Sequence, residues 1–170
     1  MSQTLIEPKV GAVAAGHGLA GKYLTFTLQG ESYGIEVLKV REIIRQIAIT
    51  AVPQMPAHVR GVINLRGKII PVMDLRLRFG FPTVTSTEQS CIVVVQVKAA
   101  DNRIAPMGFI VDGVEEVLNV NAADIEETPN FGGQIATDYI FGMAKIRDQV
   151  KTLLDIDRIV AVAGSPVTLF

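Results

Sequence analysis

The stretch "GVINLRGKIIPVMDLRLR", residues 61–78, decides the fold. Two apolar runs, Val62-Ile63 and Ile69-Ile70, flank Asn64-Leu65-Arg66-Gly67-Lys68. Apolar runs broken by a polar, glycine-containing turn read as a β-hairpin. The pattern returns at residues 142–159 as "GMAKIRDQVKTLLDIDRI". Gly61 then meets Gly142, Leu65 meets Ile146, Arg66 meets Arg147, Ile69 meets Val150 and Asp74 meets Asp155. Upstream, "GIEVLKVREII" (34–44) matches "GFIVDGVEEVL" (108–118), with Gly34 on Gly108, Val37 on Val111, Val40 on Val114 and Glu42 on Glu116. Two blocks repeated in the same order imply a duplicated unit. The offset grows from 74 (108−34) to 81 (142−61), which places a seven-residue insertion in the second copy, within "ETPNFGGQIATDY".

Each copy holds about five short strand-like runs. The first has "YLTFTL", "YGIEV", "VREIIR", "GVINL" and "KIIPVM"; the second opens with "CIVVVQV". Short strands with frequent Gly and Pro predict small barrels. Each copy closes on an aspartate, Asp74 or Asp155, placed to cap a short helix in "LRLRF" or "IDRIV". "VDGV" alone suggests an Asp-Gly hairpin, but its counterpart is "VLKV", so a bend or bulge is expected there. The expected fold is mainly β: two similar five-stranded barrels in tandem, about 22–80 and 90–162, either separate or with strands exchanged between them. Residues 1–21 and 163–170 are expected to be tails, and "FPTVTSTEQS" (81–90) a connector.

Composition narrows the function. Net charge is −1, which gives no general attraction to nucleic acid or an anionic membrane. A nucleic-acid barrel uses aromatics on a basic groove, whereas aromatics are 6% here and tryptophan is absent. No run approaches the ~18 apolar residues of a membrane helix. "MSQTLIEPKV" has no signal-peptide pattern. Cys91 is the only cysteine, which fits a reducing cytoplasm and a small core residue.

No residues have catalytic or metal-binding spacing. His17 lies in the tail, and His58 reads as a surface residue of the turn "PAHV". "GHGLAG" (16–21) matches a dinucleotide fingerprint, but the strand-like "KYLTFTL" follows where a helix is required. Glu115 and Glu116 are adjacent on a strand and point to opposite faces, so they cannot flank one bond. No metal, cofactor or enzymatic activity is expected. Arg66 is then either a solvated turn cation or an anchor for a partner. Glu42 is its candidate ion-pair partner, and Gly67, replaced by Asp148 in the second copy, marks the first hairpin as the binding one.

At "RGVINLRGKIIPVMDLR", "YGIEVLKVREII" and "GFIVDGVEEVL" the chain resembles the CheW family, the coupling adaptors of bacterial chemotaxis, from about Lys22 to Val162. The resemblance implies two SH3-like barrels and a cytoplasmic, non-enzymatic adaptor, monomeric when free. It implies binding to methyl-accepting chemoreceptors and to the regulatory domain of the histidine kinase CheA, with no nucleic acid and no membrane insertion. The family's receptor-coupling positions fall on Val40, Glu42, Gly61, Arg66, Gly67, Val114 and Val117. Its kinase-contact loop falls on "PNF", with Asn130 and Phe131; from the residues alone, Phe131 is either an exposed anchor or a barrel plug. Glu126 departs from the pattern, since some relatives carry a basic residue there. The alternative from another class is a small barrel that binds a ligand or nucleic acid.

Overall fold

A computed structural model of the chain describes residues 20–45, 47–81, 87–98, 101–126 and 139–163. The first repeat supplies β1 (Gly21–Leu28), β2 (Glu31–Glu36), β3 (Val40–Arg45), β4 (Val59–Leu65), β5 (Lys68–Asp74) and the helix α1 (Leu75–Arg78). The second supplies β6 (Cys91–Lys98), β7 (Ile104–Val111), β8 (Gly113–Val120), the two-residue β9 (Ile125–Glu126), β10 (Ile140–Ile146), β11 (Gln149–Leu154) and α2 (Ile156–Ala163). As expected, the fold is mainly β.

The repeats do not close on themselves. One sheet runs β8-β1-β2-β11-β10-β9, the other β3-β6-β7-β5-β4. Each therefore combines the first two strands of one repeat with the remaining strands of the other, four in the six-stranded sheet and three in the five-stranded one. The joins are parallel: β11 beside β2, and β5 beside β7. The exchange happens at two short crossovers. Residues Val37–Lys39 form one 3₁₀ turn between β2 and β3. At the other, Asp112 alone separates β7 from β8. The expected bend at "VDGV" is thus the point where the chain changes sheets.

Three apolar cores follow from strand alternation. Ile63, Ile70, Val72, Ile92, Val94 and Ile110 fill one barrel. Tyr23, Val120, Ile125, Ala144 and Leu153 fill the other. Between the sheets lies the largest core, built from both repeats; it includes Phe26, Leu28, Val93, Val95, Phe109 and Leu154. β6 explains its unbroken apolar run: Ile92 and Val94 face its own barrel, while Val93 and Val95 face the central core.

Among the described residues Asp74, Arg76 and Lys151 are buried charged groups, and Arg76 is the most fully bonded. The Arg76 side chain is 1% exposed. Its Nε and Nη2 donate to the two Asp74 oxygens at 3.0 and 2.9 Å, and its Nη1 donates to Asp112 Oδ1 at 3.0 Å. Asp74 also caps α1 by accepting from the Arg76 amide, as its position in the sequence predicts. Asp112 accepts through Oδ2 from the Gln29 amide at 2.8 Å, so the network joins β5, α1, a crossover and the β1–β2 turn. Removing one partner of such a group is costly because the other charge stays buried. Arg76→Met is expected to lower the unfolding free energy by about 3 kcal/mol. Equilibrium urea denaturation measures it, and a loss confined to a few tenths would show the network to be incidental.

Candidate functional site

The β4–β5 turn answers why an arginine precedes the glycine. Arg66 has φ +52° and Gly67 has φ +84°, so both central residues of the two-residue turn are left-handed, the geometry that matches strand twist. The Asn64 side chain accepts from the Gly67 amide at 2.9 Å and holds the turn shut. Arg66 is 72% exposed and grips Glu42 on β3 with both nitrogens, Nη2 to Oε2 at 3.0 Å. β3 and β4 are the opposite edges of one sheet. The pair therefore straps the barrel closed, with the Thr50–Val62 backbone bridge beneath it.

The second repeat reproduces the strap. Arg147 Nη2 donates to Glu116 Oε2 on β8 at 3.0 Å. One sequence expectation needs correction here. Asp148 has φ +64° and Arg147 φ +50°, so the second hairpin adopts the same turn without glycine. Glycine is not needed for the turn, since aspartate tolerates this region at modest cost. What Gly67 alone provides is room: a Cβ built there meets nothing within 4 Å. The pair Glu115 and Glu116 separates as the alternation predicts. Glu115 turns to Ser32 Oγ and, at 3.6 Å, to Lys151, while Glu116 turns to Arg147.

Gly61 belongs to the fold rather than to an exposed site. It is buried, and a Cβ there would sit 2.0 Å from the Thr50 carbonyl oxygen. Val40 and Val114, repeat-equivalent, are half-buried against the central core. Val117 is 51% exposed on β8, as Ile43, its counterpart, is 44% exposed on β3. Between these two edge strands runs a cleft of about 520 Å³. Ile43, Ile44 and Arg45 line one wall, Gly113, Val114 and Glu115 the other, with Cys91 among the lining residues. Sequence reasoning named single residues on β3 and β8 but missed the groove, because the two strands share no local signal of proximity.

Asn130 and Phe131 lie outside the described residues, as do His17 and "GHGLAG" up to Leu19. Cys91 is buried, and burial pushes its thiol pKa up, away from a reactive thiolate. His58 is only partly exposed, contrary to its reading as a surface residue: Nε2 is buried without a partner, and burial, then the charge of Arg78, lowers its pKa. Among the described residues no helix is long and apolar enough to cross a membrane.

Two strand-exchanged barrels, fused through a common core and parted by an edge-strand groove, define a double-barrel β module. A family model described as "CheW-like domain" matches residues 22–163, and the chain belongs to that family. It is similar to the protein named chemotaxis protein CheW of Klebsiella aerogenes, 35% identical over 147 residues, 86% of each chain. The Bacillus subtilis protein of the same name is 33% identical over 135 residues, covering 79% of this chain and 81% of its own. Among solved structures, the scaffolding protein TtCheW of Thermoanaerobacter tengcongensis superposes with a TM-score of 0.72 at 34% identity, covering 82% of this chain and 92% of that one.

Two outcomes test this geometry. Gly61→Ala is expected to cost about 2 kcal/mol or more of stability, because the Thr50 backbone must move; unchanged urea unfolding would refute the close approach. The hydrogen bonds from Arg66, then its charge, lower the Glu42 pKa. A carboxylate held below its unfolded pKa stabilises above that value, and the contribution is lost as pH falls through the folded pKa. In Arg66→Ala the Glu42 carboxyl, followed by NMR titration, should therefore move up towards the ordinary glutamate range. A titration identical to wild type would mean that the strap is absent in solution.

Proposed function

We propose that the protein is a non-enzymatic chemotaxis adaptor that couples chemoreceptor tips to the histidine kinase CheA and helps build their signalling array in the cytoplasm. The observation that carries the reading is the groove between β3 and β8. The family's receptor-coupling positions on these strands, Val40, Glu42, Val114 and Val117, gather on its two flanking edges, and Val114 lines it. The names of the relatives and of the solved scaffolding protein support the same role.

The site suits docking. Ile43 and Val114 line it from the two edge strands, and the Arg66 guanidinium is oriented by Glu42 before any partner arrives. Preorganisation of this kind lowers the entropy lost on binding. Gly67 leaves open space beside Arg66 for a partner's backbone. Gly61 takes part only by holding the strand beneath. The kinase contact is assigned to residues 129–131, with Asn130 and Phe131, on the family resemblance.

Arg66→Ala should melt within ~2 °C of wild type, since exposed ion pairs add little. It should bind a receptor cytoplasmic fragment roughly 30-fold more weakly or worse, the effect of truncating an arginine that becomes desolvated at an interface. Binding to the kinase regulatory domain should persist. Phe131→Ala should show the reverse selectivity. Pull-down and calorimetry with the two partners, beside a nucleic-acid shift assay, measure this. Wild-type receptor coupling in Arg66→Ala would overturn the assignment, and a nucleic-acid shift would favour a ligand-binding barrel.

A further inference from the structure

The walls of the groove, β3 and β8, are the same strand of the two repeats. The sheets also match strand for strand, β3-β6-β7-β5-β4 against β8-β1-β2-β11-β10, so an approximate twofold exchanges the repeats and passes between the walls. Residues 43–45 line the cleft on one wall and 113–115 on the other. The repeat offset of 74 then sets 117–119 across from 39–41, which gives the groove two related ends. Its apolar residues are nearly the same at both: Val114 matches Val40, and Ile43 and Ile44 match Val117 and Leu118. Apolar contacts alone would let an elongated partner lie in the groove in either of two opposed directions.

Charge breaks this symmetry. Equivalent positions of the two walls carry Arg41 and Glu115 (115−41 = 74), each at a register shift of its strand. The fold behind them differs accordingly. Glu115 accepts from Ser32 Oγ and lies 3.6 Å from Lys151 Nζ, whose side chain is 4% exposed. In the first repeat Ile70 stands for Lys151 and Pro106 for Ser32. Arg41 donates to the neutral Gln96 side chain, and at the same end exposed Lys22 stands opposite neutral Asn119. The other charges near the two ends are matched within the fold or turned towards it. Asp157 holds Lys39 at 2.8 Å beside Glu36, Arg76 holds Asp112, and Arg45, the counterpart of Asn119, donates to the Glu88 carbonyl at 3.1 Å. The Glu42–Arg66 and Glu116–Arg147 straps are alike and do not discriminate. We propose, on the receptor-coupling reading of the groove, that Arg41 and Glu115 orient the receptor: its segment lies in one direction only, with a carboxylate against Arg41. The reversed direction would set that carboxylate against Glu115. Direction is thus chosen by repulsion as well as by attraction.

Orientation is tested with the full chain and a receptor cytoplasmic fragment. A nitroxide is attached at Glu31→Cys or at Asn102→Cys, in a Cys91→Ala background that leaves one thiol. The two turns flank opposite ends of the groove. The Gln29 amide of one is bonded to Asp112, and the Lys98 amide beside the other to Asp157, the partner of Lys39. With the native charges, each label should broaden a different set of fragment NMR signals. In R41E/E115R the two sets should exchange or merge. R41Q leaves Glu115, Ser32 and Lys151 in place and decides the matter if R41E/E115R does not fold. It should bind the fragment about tenfold more weakly than wild type at low salt, with the gap closing as salt is raised. Both labels broadening the same signals with native charges, unchanged sets in R41E/E115R, or wild-type affinity of R41Q at low salt would overturn the orientation while leaving receptor coupling intact. A wild-type chain that fails to bind the fragment would overturn the receptor reading itself, and the orientation with it.

Discussion

Arg76 is enclosed by Asp74 and Asp112, with its side chain 1% exposed, and the rest of the architecture is arranged around that contact. A guanidinium withdrawn so far from water is tolerated only where its charge is matched and its nitrogens are bonded. Both conditions are met only when the end of β5, the start of α1 and the β7–β8 crossover arrive together. That meeting fixes which repeat's strands lie beside which. The net stability from such a buried pair is small once desolvation is counted, whereas removing one partner leaves the other charge unmatched.

Strand exchange has a mechanical consequence for the groove. β3 and β8 each leave their own repeat and become the edge of the other barrel. The two walls of the groove are thus one step from the two crossovers, and both lean on the central core through Val40 and Val114. A partner seated between β3 and β8 touches a surface whose geometry is set by both barrels together. Such a surface suits an adaptor, which has to present a shaped face without chemistry of its own.

The two hairpins show how duplication diverges. Both retain the arginine, the left-handed turn and the glutamate strap, so the strap belongs to barrel closure in each repeat. Around the arginine the copies differ, Gly67 standing against Asp148 and Asn64 against Lys145. Aspartate keeps the turn but adds a charged side chain where glycine leaves open surface. The difference between the copies is therefore one of access.

Much of this was legible in the sequence. The repeat, both hairpins, the Asp74 and Asp155 caps, the Glu42–Arg66 pair and the bend at Asp112 follow from local patterns, because turn chemistry, capping and strand alternation act over a few residues. The role of Gly61 did not follow, since it depends on the Thr50 backbone crossing it from another segment. Nor did the burial of Arg76, whose sequence neighbourhood "LRLR" resembles an ordinary solvated helix. The groove and the exchange of strands were decided by tertiary structure alone. The one-residue link at Asp112 cannot bring β8 back into the sheet of β7, but β5 and β11 each have two equivalent strands to lie beside, β2 and β7. The choice between them rests on contacts between residues far apart in the chain: β5 with β7, β11 with β2, Arg76 with Asp112 and Asp157 with Lys39.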